Sequence, residues 1–450
     1  MRSGARYQGG CATVRRATVK RCRRSLAFAL VTVVAGMPTL AGAQSIQELL
    51  PQIIDTHDKV AAAHSRVEAA RNRARETLGG WFPVLTLQNQ TGYEHVERPQ
   101  RMSDPSYHTW QSDATLTQLL WDFGGTNSRI EAQRLVLEQT SSEETAVRQN
   151  LMQEALTAYV NLLRAERLLD YARQSEDNVR RQTGLEQARV DRGSGLSTDV
   201  LQAKTQLAGA EARRVQAEGA VQIARNRFEA VFGFVPPSTK GLVALKGPAG
   251  DVLPTTLDTA LARARDANPS LRAAMAAAGA QRAMTGSVMG ERLFPRVDLV
   301  ASNALKHNVD ALEGDKMNTS VQVRATWSIN LGMTAVNSLR AAEAEAQAAG
   351  HSEGDTRTQV EEKVRNAWQR LETSRANARI LANQANIAGE FLDLARRERQ
   401  LGQRSLIDLL SGETALYNAQ ADAYSAEADV IIASYALMAS VGALDMGQIR

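Results

Sequence analysis

Thr319-Ser320-Val321-Gln322-Val323-Arg324-Ala325-Thr326-Trp327-Ser328-Ile329 alternates without a break. In an extended chain Thr319, Val321, Val323, Ala325, Trp327 and Ile329 share one side, and Ser320, Gln322, Arg324, Thr326 and Ser328 share the other. One greasy and one polar face over some ten residues is the pattern of a strand with lipid on one side and water on the other. About two hundred residues upstream the pattern recurs: Trp110, Ala114, Leu116 and Leu120 oppose Gln111, Asp113, Thr115 and Thr117. Each strand has a mate before it. The spacing predicts a pair at 84–95 and 109–123, joined by a polar loop with Pro99 and Pro105, and a pair at 297–307 and 319–331.

The rest of the chain repeats with the strands. Trp81-Phe82-Pro83 returns as Leu293-Phe294-Pro295, and Asp122-Phe123-Gly124 as Asn330-Leu331-Gly332. Gly193, Asp199, Leu201, Thr205 and Leu207 return as Gly402, Asp408, Leu410, Thr414 and Leu416. Residues 44–240 and 255–450 thus read as two structural repeats around a linker at 241–254; Pro236, Pro237, Pro248 and Pro254 mark the join. Such duplication points to a symmetric assembly rather than to one enzyme pocket. The stretches 106–235 and 296–450 hold no proline and are rich in good helix formers. They predict helices over 126–192 and 334–401, each about 100 Å long. Gly193-Ser194-Gly195 ends the first and Gly402 the second, since glycine tolerates the left-handed turn of a helix end. Return helices over 199–232 and 406–443 start near Ser197/Thr198 and Ser405, all good N-caps. Helices at 46–78 and 255–289 open the two copies. The fold class is α+β, with four strands per chain and a long helical bundle.

Residues 1–43 read as a secretory signal peptide: a basic leader, an apolar run from Leu26 to Ala35, and the small-residue site Ala41-Gly42-Ala43. Of 53 Lys and Arg, eight lie in this leader, leaving 45 bases against 49 acids, so nothing basic suggests nucleic acid. Cys11 and Cys22 also lie there, which excludes disulfides, thiol nucleophiles and thiolate metal sites from the remainder. No later stretch reaches the ~18–20 apolar residues of a spanning helix. A membrane crossing then requires a closed β-barrel. Four strands enclose no open lumen, and eight-stranded barrels are filled by side chains. Pooling strands from three chains gives twelve, the smaller number consistent with a pore.

The segments 116–124 (LTQLLWDFG), 193–203 with Thr198-Asp199-Val200-Leu201-Gln202-Ala203, and 401–410 (LGQRSLIDLL) followed by Thr414-Ala415-Leu416-Tyr417-Asn418-Ala419 together resemble the TolC family of outer-membrane export channels over the whole mature chain. The resemblance implies a homotrimer in the outer membrane of a Gram-negative bacterium, with a twelve-stranded barrel in lipid and a helical barrel across the periplasm. It implies a periplasmic adaptor and an inner-membrane pump, either an ATP-driven (ABC) exporter or a proton-driven one, and no cofactor. It also places a gate at the helix tips. Thr198, Asp199 and Arg404 match link positions, and Asp408 matches an aspartate ring. Two positions depart from the family: a link tyrosine falls at Arg399, which an Arg399–Asp199 pair would replace, and a second ring acid falls at Ser411.

Each position also has a plainer reading. Ser405 to Asp408 is spaced like a capping box, and an acid in the first turn favours the helix dipole. Trp121, Trp110 and Trp327 suit the aromatic girdles of a barrel, although a packed core is the alternative for Trp121. Asp113, Gln322 and Arg324 on the polar strand faces suit a lumen. His57 and His64 share a helix face but lack a third metal ligand. No phosphate loop, nucleophile elbow or metal triad is present. The expected function is a passive export duct. Trp121-Asp122-Phe123-Gly124 and the lack of a lipid-anchor cysteine lean towards protein secretion over drug efflux. A periplasmic coiled-coil scaffold without a pore is the third reading, and it leaves the strand pairs unexplained.

Overall fold

The computed structural model describes residues 46–95, 106–194, 196–234, 242–248, 252–309 and 313–449. The expected leader, Pro99, Pro105, Pro236, Pro237 and Gly195 lie outside the described residues.

Each copy opens with a short helix and a longer one, where the sequence predicted a single helix. The first copy has α1 (Ile46–Thr56) and α2 (Asp58–Leu78); the second has α5 (Leu257–Ala267) and α6 (Pro269–Leu293). The breaks are cap chemistry. The His57 ring accepts the Lys59 N–H at 3.1 Å. Asn268 precedes Pro269, which drives it out of the helical region, and its Oδ1 accepts the Ser270 and Leu271 N–H groups.

The long helices are α3 (Gly125–Asp191) and α7 (Thr334–Gln400), 67 residues each, and the return helices are α4 (Ser197–Phe232) and α8 (Leu406–Val441), 36 residues each. They form a one-layer wall. Towards the sheet, α2 packs on α3, and α6 lies between α3 and α7. Towards the tips, α4 packs on α3, and α8 lies between α3 and α7. The Asn268 amide donates to the Ser440 carbonyl at 2.8 Å, so α6 stacks end to end on α8. His57 and Asp58 likewise lie beside Phe232 and Gly233, where α4 stops and α2 starts.

The main core lies at this mid-height seam. Leu50, Leu156, Phe228, Leu271, Leu371 and Leu437 are buried in it, each worth about 1.5–3 kcal/mol of apolar transfer. The expected linker is part of the core. Leu245 and Leu253 are buried, the Tyr159 hydroxyl donates to the Val243 carbonyl at 2.6 Å, and that of Tyr435 to the Lys246 carbonyl at 3.0 Å. Burial pushes the Tyr159 phenol up to about 12, which keeps it a donor.

The strands form one antiparallel sheet in the order β1 (Val84–His95), β2 (Ser106–Trp121), β3 (Arg296–His307), β4 (Asp315–Thr326). β2, β3 and β4 start earlier than expected, at Ser106, Arg296 and Asp315, and β2 and β4 also stop short. β2 stops at Trp121, because Asp122 turns the chain: its Oδ2 accepts the Thr126 N–H at 2.6 Å and starts α3. β4 stops at Thr326, opposite Arg296, where its partner ends against Pro295. Trp327 and Ile329 therefore lie beyond the strand.

The seam leaves no room at Gly442. Its φ is +80°, and a Cβ there would meet the Ala267 carbonyl oxygen and Asn268 Cα at 2.7 Å. Gly442→Ala should destabilise the protein by about 2–4 kcal/mol, combining left-handed strain with overpacking. Thermal unfolding followed by circular dichroism checks this; an unchanged midpoint contradicts the seam packing.

Candidate functional site at the helix tips and the sheet

The two hairpin tips are closed by the same hydrogen bonds. Gly193 (φ +75°) donates to Val190 O and Ser194 to Arg189 O; Gly402 (φ +77°) donates to Arg399 O and Gln403 to Glu398 O. Both are Schellman ends, which satisfy carbonyls that a helix terminus leaves open. The restarts differ. Ser405 caps α8, its hydroxyl accepting the Asp408 N–H at 3.2 Å. α4 is capped by Leu196 with no side-chain bond, so Ser197 and Thr198 are its first helical residues rather than its caps.

Thr198 is exposed and Asp199 half-buried, and neither side chain makes a polar contact among the described residues. Asp408 and Ser411 are exposed, one turn apart on α8. Arg404 lies 4.9 Å over the Phe391 ring, and its Nε is 3.0 Å from Glu398. Arg399 does not meet Asp199. Its guanidinium donates to Glu186 on α3 at 2.9 Å and to the Arg404 carbonyl at 3.0 Å. Glu186 is only 4% exposed, and a buried carboxylate takes the guanidinium because leaving it unpaired costs far more than leaving Asp199 in water.

Glu186 is one of three buried glutamates among the described residues that sequence reasoning missed. Glu413, 3% exposed, accepts from Arg396 at 2.7 Å and from the Asn178 amide at 3.2 Å, joining α8, α7 and α3. Glu176 accepts from Arg214 Nε at 2.6 Å and pairs with Arg180, joining α3 to α4. Arg214 also donates to Glu218, whose carboxyl it holds below the usual range. Only the pairs at helical spacing, such as Glu176–Arg180 and Arg214–Glu218, were visible in sequence. The other partners come from a different helix, in two cases the next one in the chain and in the others one more than two hundred residues away.

At the sheet, the register sorts the side chains. Leu85, Leu87, Leu116, Leu299, Val321 and Val323 share one face and are exposed on it. Asp113, Gln322 and Arg324 lie on the other, with Asp113 accepting from Gln111 at 2.6 Å and Arg324 opposite Asp298. By simple alternation Trp121 would fall on the polar face. A bulge between Leu119 and Trp121 moves it opposite Val297, onto the apolar face. There it meets Phe123 edge-on at 6.1 Å, and Phe123 stacks on Phe294 at 4.8 Å. Trp121 and Trp327 are exposed at the helix-proximal end of the sheet and Trp110 towards the far end. His57 and His64 stand apart from any ligand cluster. His57 caps α2, and His64 faces Glu144 at 3.6 Å.

The profile of the outer membrane efflux protein family matches residues 49–233 and 260–443, one segment per repeat. The chain belongs to this family. The outer membrane efflux protein BepC of Brucella suis is 23% identical over 436 residues, covering 96% of this chain and 92% of BepC. The alkaline protease secretion protein AprF of Pseudomonas aeruginosa is 25% identical over 353 residues, covering 76% of this chain and 71% of AprF. The solved outer-membrane channel OprN superposes with a TM-score of 0.77 at 22% identity, over 88% of this chain and 89% of OprN. The fold is TolC-like. The protein sits in the Gram-negative outer membrane and extends into the periplasm, and its family members are passive channels.

Removing Arg399 leaves Glu186 only a longer 3.4 Å contact, with Arg189 on its own helix. Arg399→Gln should cost about 1–3 kcal/mol of local stability, because a buried acceptor loses its charged donor. Hydrogen exchange should speed up about tenfold or more around 183–192 and 396–406, with little change at the mid-height core. Equal protection in both proteins rules out the Arg399–Glu186 tie.

Proposed function

We propose that three copies of this chain form a passive duct that carries secreted protein from an ATP-driven inner-membrane pump and its periplasmic adaptor to the outside. The observation that carries this reading is a four-stranded sheet with one greasy face and two unpaired edges, β1 and β4, in a chain of this family. Twelve pooled strands close those edges. The helical walls then close into a tunnel whose resting end lies at the hairpin tips.

At that end Asp408 supplies three carboxylates per trimer, fewer than if Ser411 were acidic. Thr198 and Asp199, open within one chain, face Arg404 of a neighbouring copy. Arg399 serves within the chain, tying the two hairpins through Glu186. Protein cargo is supported by the match to a protease secretion protein. The second reading, small-molecule efflux with a proton-driven pump, is favoured by the longer match to BepC. A deletion strain separates the two: loss of a secreted protein with unchanged drug sensitivity supports the first, and the reverse supports the second.

Planar-bilayer recording tests the duct itself. The purified protein should conduct, and Arg404→Ser should raise conductance several-fold by loosening the closed end. Conductance at the wild-type level removes Arg404 from the latch, and no channel under any condition removes the duct. Asp408→Ala should weaken block by divalent cations, since the tip loses its carboxylates. Unaltered block would leave Asp408 with its helix-start role alone.

A further inference from the structure

A cavity of about 570 Å³ lies in the wall where α8 meets α6, between α3 and α7. Its floor is made of small side chains of α8, among them Ala433 and Ala436. One bank carries Asn150 and Gln153 of α3; the other carries Lys363, Asn366 and Arg370 of α7.

The side of the wall follows from helix geometry. Tyr159 of α3 reaches the segment 242–248, and Asn150, nine residues earlier, lies about two and a half turns away, on the opposite side. Tyr435 of α8 reaches the same segment, and Ala433 lies about 160° round from it. The cavity therefore opens on the face away from α1, α5 and the 242–248 segment. In a closed helical barrel that face is the lumen, since three copies of the thick layer placed inwards would fill the duct.

Its chemistry is one-sided. Lys363 and Arg370 are exposed, lie seven residues apart on one face of α7, and have no ion-pair or hydrogen-bond partner among the described residues. No acidic residue lines the cavity. The nearby acids of α7 are engaged elsewhere: Glu361 with Arg265, Glu362 with the Asn366 amide, and Glu372 with Arg375. The side-chain amides of Asn150 and Gln153 make no hydrogen bond within the described chain. A guanidinium and an ammonium about 10 Å apart along the helix, facing free amide donors, match a chain of carboxylates rather than a single ion.

We propose that this trench is a cargo-binding site on the lumen wall that takes carboxylate-rich segments in transit. The proposal rests on the duct reading and names the chemistry of what the duct holds. The trench supplies donors and positive charge, and carboxylate side chains of the cargo supply the acceptors. Three copies give the mid-height of the tunnel a collar of six cations, above tips that carry the Asp408 carboxylates.

The test uses the full-length protein in detergent and fluorescently labelled hexaglutamate, with binding read by anisotropy at low and high salt. Wild type should bind, less tightly as salt rises. The pair Lys363→Gln and Arg370→Gln should weaken binding about tenfold or more, equivalent to about 1.4 kcal/mol. Arg66→Gln with Arg73→Gln, an exposed pair of the same spacing on α2, should leave binding unchanged. Lys363→Glu with Arg370→Glu should abolish hexaglutamate binding and bind labelled spermine instead. No binding by wild type, or equal loss in the α2 pair, overturns the trench. Because binding is measured without ion flow, that outcome is distinct from a failure to conduct, which would count against the duct.

Discussion

Backbone hydrogen bonds at a sheet edge have no substitute partner in hydrocarbon, where each open group costs several kcal/mol. β1 and β4 each present such an edge along twelve residues, and the sheet's Leu and Val side chains are bare on one face. One chain therefore cannot be a finished membrane structure. In the proposed assembly, copies of one chain supply each other's edges. The duplication gives each chain two hairpin pairs leading into two long helices. The bulge at Leu119/Trp121 puts a tryptophan on the greasy face where the sheet meets the helices.

That constraint extends into the helical wall. A sheet wrapping a lumen demands a wall of constant width beneath it, yet each copy has only one helix that runs full length. The fold solves this by stacking α6 on α8 and starting α2 where α4 ends, so four columns run the whole height. The joints are weak points, since each leaves helix-terminal groups unsatisfied. They are where the core and the 242–248 segment gather, with Asn268 capping α6 while also donating to the last turn of α8. The segment that composition marks as a linker is thus a strap over the joint.

How much of this the sequence discloses depends on the range of the interaction. The repeat, the two faces of each strand and the glycine-ended hairpins are local patterns, and they are legible: Gly193 and Gly402 adopt the expected left-handed turn with matching hydrogen bonds. The register shift that re-aims Trp121 is a property of two strands together and leaves no mark in one. The buried glutamates are hidden for a different reason. α3 and α7 are full of Glu and Arg at helical spacing, so nothing in the local pattern separates Glu186 and Glu413 from solvated neighbours. What singles them out is a helix brought alongside by the tertiary fold. Within one chain Arg399 pairs with Glu186 rather than with Asp199, a choice set by a neighbouring helix and invisible in the local pattern.

The same distinction orders the contacts at the proposed gate. An ion pair still open to water such as Arg404–Glu398, in which neither partner is buried, is worth about 0–1 kcal/mol, whereas separating a buried carboxylate from its guanidinium costs about 3–5 kcal/mol. Arg399–Glu186 and Arg396–Glu413 lean towards the second kind, since in each the carboxylate is buried while the guanidinium keeps some contact with water. A gate has to open on contact with a partner, so the contacts that break should be the cheap ones. Within a chain the two hairpins are held by expensive contacts and should move together near their tips. In the proposed assembly the links that yield are then those between copies, at Thr198, Asp199 and Arg404, none of which is buried within its own chain.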